Sequence, residues 1–169
     1  MFSQQELKML SMKAARIHTY GSVDVLKYED APRPVPGKDE VLIRAQATSV
    51  NPFDCAVRAG YLTGWYQYPF PIVLGLDVSG VVEECGPGVS KFSPGDAVYA
   101  RTDPSRNGAY AEYVLAHVDE ISLKPKSLDH RHAAAVPHAA LTAWALIETA
   151  GLAKGQTVFI PGAAGGVGH

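Results

Sequence analysis

The sequence predicts a β-rich domain, a barrel or sandwich, that gives way near Ser127 to the opening of an α/β domain. Three observations carry this. Residues 13–126 are short β-type runs cut by glycine and proline turns, the rhythm of an all-β domain. From Ser127 the chain turns alanine-rich, with apolar residues at helical spacing. Residues 157–160 (TVFI) then form an apolar run that breaks at Pro161-Gly162 into the small-residue turn GAAGGVG. Strands first, then helix, strand and glycine turn, is the order of a β domain followed by an α/β one.

Each element has its own reason. Residues 13–18 (KAARIH) and 25–28 (VLKY) read as a strand pair around Gly21. Residues 32–37 (PRPVPG) must be extended, because each proline fixes φ and lacks a donor. Residues 40–49 (EVLIRAQATS) alternate partly and read as a strand. Residues 72–85 are strand-rich, interrupted by Gly75 and Gly80 as at bulges or close backbone approaches. Gly86-Pro87-Gly88 and Ser93-Pro94-Gly95-Asp96 are turns, the second leading into a strand at 97–100. Residues 108–115 (GAYAEYVL) alternate small and large side chains as a final long strand. Ser127 or Asp129 is placed to cap a helix, which Pro137 must break or restart. Leu141, Trp144, Ala145 and Glu148 then recur at helical spacing up to Gly151. The expected organisation is a tail at 1–12, a β domain at 13–127, and linker helices, first strand and glycine turn at 128–169.

Composition narrows the functional classes. Apolar residues make up 47% of the 169, enough for a real core. A formal charge of −2 gives no electrostatic case for nucleic acid or an anionic membrane. Cys55 and Cys85 form neither a disulfide framework nor a CxxC pair, so a reduced, cytoplasmic setting is the default expectation. The most apolar stretch, 133–147, is too short to span a bilayer and contains Pro137 and His138. Residues 1–10 carry Gln4, Gln5, Glu6 and Lys8 where a secretory leader needs an apolar run.

The glycine turn carries the chemistry. A strand entering a glycine turn that opens a helix is how α/β units hold a pyrophosphate: glycines admit the phosphates, and the helix's first N–H groups bind them. Here Gly165, Gly166 and Gly168 follow the strand-like run, with Ala164 and Val167 between them, and the sequence ends one residue after the turn. Ala163 stands where the first glycine of the fingerprint would be. Read alone, such a turn is equally an ordinary loop.

Four stretches together resemble one family. They are SVNPFDCAVRAG (49–60), PIVLGLDVSGVVEECGPGV (71–89), FSPGDAVYA (92–100), and LTAWALI followed by GAAGGVG. In this order they resemble the medium-chain dehydrogenase/reductase superfamily, and within it the zinc-independent NADPH:quinone oxidoreductases related to zeta-crystallin. The resemblance runs from Lys13 to the last residue. It implies a GroES-like β-barrel catalytic domain followed by the first part of a Rossmann nucleotide-binding domain. It also implies hydride transfer from NADPH to a quinone or α,β-unsaturated carbonyl, and subunits paired through the Rossmann sheet as a homodimer. The residue that would read the ribose 2′ position is absent, so NADPH over NADH comes from the family alone. Residues 1–169 by themselves are expected to bind cofactor poorly and to reduce nothing. Two rival readings remain open: a zinc-free alcohol or ketone oxidoreductase, and a GroES-like binding module without catalysis.

The same resemblance nominates site residues. The ligand-bearing positions of the superfamily's zinc enzymes fall on Asn51, Leu76 and, less securely, His138. Leu76 cannot bind metal and an amide is a poor zinc ligand, so no zinc is expected. Asn51 is the first candidate for the cleft, able to donate and accept; turn or cap chemistry at Asn51-Pro52 is the alternative. Tyr61 could donate its phenol hydrogen, although some family members carry an active-site tyrosine where this chain has Ala56 and another at or near Leu62, one place from Tyr61, and packing or surface is the better reading. Thr142 matches a family threonine beside the nicotinamide, or else bonds back to its own helix. Ala164, Gly165, Gly166, Val167 and Gly168 would hold the phosphates. Tyr66 and Tyr68 could line a pocket, His138 could contact cofactor or simply pack, and Asp54 and Arg58 are spaced to pair with each other.

Overall fold

The computed structural model describes residues 11–169. The expected tail lies outside the described residues except for Ser11 and Met12, and these open a strand instead. β1 (Ser11–Ile17) runs antiparallel to β2 (Lys27–Pro32), Ser11 facing Pro32, with Met12 buried. Burial of Met12 against Ala14, Ala31 and Val73 is the reason the strand starts earlier than the sequence pattern suggested.

The β domain consists of two sheets. The smaller has the order β2-β1-β4, with β4 at Ile72–Val73. The larger is five-stranded, in the order β7-β3-β5-β6-β8. Its members are β3 (Glu40–Thr48), β5 (Asp77–Cys85), β6 (Ala97–Arg101), β7 (Tyr113–His117) and β8 (Ile121–Leu123). Pairing is antiparallel throughout. The core of the larger sheet is β-branched: Val41, Ile43, Val78, Val82, Val98 and Val114, each at most 2% exposed. Side chains of this size contribute roughly 1.5–3 kcal/mol each when removed from water.

The expected long strand at 108–115 does not form as one piece. Residues 109–112 cross between the sheets. The Ala15 N–H donates to the Tyr110 carbonyl (2.8 Å) and the Glu112 N–H to the Lys13 carbonyl (3.0 Å), while the Ala45 N–H donates to the Glu112 carbonyl (2.9 Å). This segment satisfies both β1 and β3, and only from Tyr113 does it settle beside β3 alone. An alternating sequence shows which side chains face inward, not which neighbour the backbone will bond. The edge strand β8 had no clear sequence pattern, being three residues long.

Three helices position the site. α1 (Pro52–Ala59) has proline at its first position and Asn51 as the flanking cap residue. α2 (His130–Ala134) is capped by Asp129, whose side chain accepts from the His132 N–H at 2.8 Å; Ser127 takes no part in the cap. α3 (Pro137–Ala150) restarts at Pro137 and ends at Gly151, as its proline and glycine predict. Only Pro137 of α3 is buried, and Leu141, Trp144 and Leu146 are each more than half exposed. No helix among the described residues is long and apolar enough to cross a membrane.

The expected strand at 157–160 is not formed. Those residues belong to no strand and have no ladder partner, with Phe159 88% exposed. A parallel strand exists only through its ladder partners, and the described residues place none beside it. Beyond it, residues 162–169 wind through turns, Gly165 N–H to Gly162 carbonyl (2.9 Å) and Gly168 N–H to Gly165 carbonyl (3.1 Å), without a helix.

Candidate active site

The site is built where the end of β3, the start of β5, the N terminus of α1 and the first turn of α3 meet. Asp77 lies at this junction, only 1% exposed. A carboxylate this deep in a sheet must be fully hydrogen-bonded to persist, and it is. Its Oδ2 accepts from the Ser49 hydroxyl (2.6 Å) and the Asn51 amide Nδ2 (3.0 Å). Its Oδ1 accepts from the backbone N–H of His138 (2.9 Å), an N–H of the first turn of α3 that helix bonding leaves free. The Asp77 carbonyl in turn accepts from the Thr48 hydroxyl at 2.7 Å. One side chain thus ties three elements.

Asn51 is held from two further directions. Its Nδ2 also donates to the Ser49 Oγ (3.1 Å), and its backbone N–H donates to Asp54 Oδ2 (2.7 Å). The Asp54 N–H donates to the Asn51 backbone carbonyl (3.0 Å), and the Asn51 and Asp54 side chains stand in capping-box positions at the start of α1. Asn51 occupies the cap position, and its side chain turns towards the junction.

Asp54 forms a second knot. It is 3% exposed and accepts the Tyr110 phenol at 3.0 Å. It does not pair with Arg58, which reaches the Gly21 carbonyl instead (3.4 Å); helical spacing put the two in range, but Asp54 is turned inward. Burial pushes the Asp54 carboxyl above the usual carboxylate range, and its bonds from Asn51 and Tyr110 only partly oppose this. Burial, then the Asp54 charge and hydrogen bond, drive the Tyr110 phenol well above its ordinary value. A carboxyl raised on folding binds its proton more tightly in the native state. Stability therefore falls as pH rises from the ordinary carboxyl range through the raised native value. Tyr110→Phe removes one bond to the charged form. We expect it to lower stability at neutral pH by about 1–2 kcal/mol and to steepen that fall. Urea midpoints across acid and neutral pH check both, and a loss equal at every pH would refute the coupling.

Aromatic rings wall the junction on the α1 side. Phe53 meets Tyr66 edge-on at 5.7 Å and His138 at 6.2 Å, and Tyr66 stacks on Tyr68 at 6.0 Å. The Tyr68 hydroxyl donates to the Pro104 carbonyl (2.6 Å), and burial pushes its pKa up to about 12. That phenol is committed to structure. His138 Nδ1 accepts from Arg101 Nε at 3.3 Å. The Thr142 hydroxyl donates to the His138 carbonyl at 2.7 Å, the helix back-bond, which leaves its lone pairs free to accept. Tyr61 lies beyond the end of α1, 81% exposed and outside this junction.

A nicotinamide nucleotide needs polar anchors in the cleft and free backbone N–H groups at the glycine turn. Asn51 and Thr142 are the polar side chains here with the chemistry for the first. At the turn, the N–H groups of Ala164, Gly166 and Val167 make no hydrogen bond among the described residues, and the segment is exposed, so its chemistry fits an anion. Zinc finds less. Leu76 is a buried hydrocarbon, the Asn51 amide donates to Asp77, and the described residues contain no group of three His, Cys, Asp or Glu that could hold a metal ion.

Sequence reasoning missed Asp77, Ser49 and Tyr110. A signal existed for Asp77: a lone acid inside the apolar run VLGLDVSG is either an error of strand assignment or a buried, hydrogen-bonded group.

Comparison with known proteins agrees with this architecture. The alcohol dehydrogenase GroES-like domain matches residues 37–126. The mouse protein named NAD(P)H oxidoreductase RTN4IP1, mitochondrial, is 41% identical over 176 residues, covering 93% of this chain and 44% of its own. Pig quinone oxidoreductase is 40% identical over 159 residues, covering 93% and 47%. Among solved structures, the quinone oxidoreductase of Coxiella burnetii has a TM-score of 0.86 at 37% identity, covering 94% of this chain and 51% of that one. The cobalt- and zinc-bound thermostable alcohol dehydrogenase of Pyrobaculum aerophilum scores 0.83 at 33% identity, covering 94% and 54%. The chain spans about half the length of the curated relatives it matches.

Proposed function

Since this chain belongs to the medium-chain dehydrogenase/reductase superfamily and carries its GroES-like domain, we propose that the protein reduces a quinone or α,β-unsaturated carbonyl with NADPH, without zinc. The observation that carries this reading is the Asp77 junction. It anchors Asn51 and the first turn of α3 together, on the helix that leads to the glycine turn, and it does so beside Leu76 rather than a metal-binding side chain. The relatives named as NAD(P)H or quinone oxidoreductases support the reaction class.

The reduced nicotinamide, when bound, supplies the hydride. The residues of this chain bind and orient. Asn51 and Thr142 face the nicotinamide half, and residues 164–168 offer small side chains and free N–H groups to the phosphates. Phe53 and Tyr66 offer a flat apolar wall for a planar acceptor and keep water from it. Tyr68 and Tyr110, whose hydroxyls are bound elsewhere, are not proton donors in this scheme.

Metal content and turnover of the native-length protein test the proposal. After dialysis against a chelator, we expect NADPH oxidation with 1,4-benzoquinone or an alkenal to persist and to exceed oxidation of secondary alcohols. Stoichiometric zinc whose removal abolishes activity would overturn the zinc-free reading. Turnover confined to alcohols and ketones would favour a zinc-free alcohol or ketone oxidoreductase instead.

A further inference from the structure

His138 enters the junction with one ring nitrogen engaged and the other free. Its Nδ1 meets the Arg101 Nε–H at 3.3 Å. A guanidinium can only donate, so Nδ1 offers it a lone pair and the ring carries its proton on Nε2. Turning the ring over would aim that guanidinium N–H at a carbon, so Arg101 fixes both the orientation and the tautomer. Among the described residues Arg33 Nε is the one buried side-chain nitrogen or oxygen without a partner, so the unpartnered Nε2 of His138 is open to solvent. The ring is placed from three sides. The His138 backbone N–H is tied to Asp77 at 2.9 Å, and the Phe53 ring lies 6.2 Å from the imidazole. Thr142 stands one turn further along the same face of α3.

We propose that His138 is a catalytic residue whose Nε2–H donates to the acceptor's carbonyl oxygen as negative charge develops there, and that Arg101 is the positioning residue that keeps this donor in place. This rests on the functional reading above. A planar acceptor lying on the Phe53 and Tyr66 wall borders the imidazole. When an enone takes the hydride at its β-carbon, the C=C pair shifts and an electron pair comes to rest on the carbonyl oxygen as an enolate, which a fixed donor stabilises. His138 does not pass on its own proton, because Nδ1 carries none and the ring would be left an anion. The enolate takes its proton from water, which completes the reduction. A second proton on the ring is opposed by the same contact, since Arg101 stays charged and its N–H occupies the Nδ1 lone pair. The carboxylates of Asp77 on β5 and Asp54 on α1 act in the opposite sense, but Asp77 is bonded to three donors and Asp54 to Tyr110 and the Asn51 N–H. Glu120, beside Pro137 at the start of α3, is spent on Arg106.

The test measures crotonaldehyde reduction and NADPH binding by the native-length protein and its variants. His138→Ala should lower kcat about 100-fold, the usual effect of removing one oxyanion donor, with the NADPH Kd unchanged, which also reports a folded variant. His138→Gln, whose side-chain N–H reaches the place of Nε2, should recover kcat to within about tenfold of wild type. Arg101→Leu frees Nδ1 and should add an ionisation to the pH profile of kcat between about pH 6 and 8. The rate should rise there as pH falls, because an imidazolium donates more strongly and can also pass on its proton. Asp54, whose carboxyl burial raises, would titrate in wild type and variant alike. The added ionisation should vanish in the double variant Arg101→Leu with His138→Gln. A merely structural role for Arg101 would lower kcat equally at every pH and overturns the positioning claim. A wild-type ionisation that disappears in His138→Gln overturns the neutral donor. A His138→Ala variant that keeps the wild-type kcat overturns the inference alone, and so does loss of NADPH binding in both His138 variants. Absence of NADPH oxidation by wild type with either 1,4-benzoquinone or crotonaldehyde overturns the functional reading and this inference with it.

Discussion

Replacing Asp77 by alanine is expected to destabilise the β domain by about 3 kcal/mol, more than removal of any other single polar side chain named here. The substitution strands three donors at once: the Ser49 hydroxyl, the Asn51 amide and the His138 N–H. A buried orphan donor costs about 1–3 kcal/mol, and the total is moderated because Asn51 and Ser49 can turn towards water. Loss of the charge itself works the other way, since a buried carboxylate is expensive to desolvate. The orphaned donors outweigh that gain because the alanine puts nothing in their reach. Urea unfolding should show a lower midpoint with an unchanged slope. A shift of under about 1 kcal/mol would mean that water replaces Asp77 without penalty, and the junction would then be incidental to the fold.

An equally large effect is expected from a single methyl group at Gly80. This glycine, on the central strand β5, faces Ala45 of β3, beside a register shift. A Cβ there would lie 2.2 Å from the Arg44 carbonyl oxygen and 2.9 Å from its carbon, both backbone atoms that cannot swing aside. Gly80→Ala must therefore separate β3 from β5 locally, with a loss of about 3 kcal/mol. Gly95→Ala is the informative contrast. Gly95 has φ +96° with no atom within 4 Å of the added carbon, so only backbone strain opposes the change, about 1 kcal/mol. If the two variants lose equal stability, close packing of β3 on β5 is not what requires Gly80.

How far the sequence could be read follows from the range of each interaction. Asp129, Pro137 and Gly151 act on neighbours within one helical turn, so α2 and α3 were placed correctly from type and position alone. Glycine interruptions at 75 and 80 marked real close approaches, because a missing side chain is visible without knowing what it faces. The segment 108–115 was misread because its backbone divides its bonds between β1 and β3, and alternation carries no information about that division. The run 157–160 has genuine β propensity, but the described residues offer it no ladder.

Asn51 shows the same division inside the site. Its residue type and its place before Pro52 made it both a helix cap and a candidate ligand contact, and motif order assigned the GroES-like domain around it. Which groups its amide meets could not be read there. That depends on Asp77, 26 positions away, and Asp77 in turn on His138, 61 positions further along. Amide orientation is a property of a closed hydrogen-bond network, and such a network exists only once the fold has brought its members within 3 Å of one another. The sequence by itself determined the order of elements, their caps and the family. The tertiary structure alone decided that Ser49, Asn51 and the first turn of α3 meet on the buried Asp77, because only folding brings residues so far apart in the chain within hydrogen-bond reach.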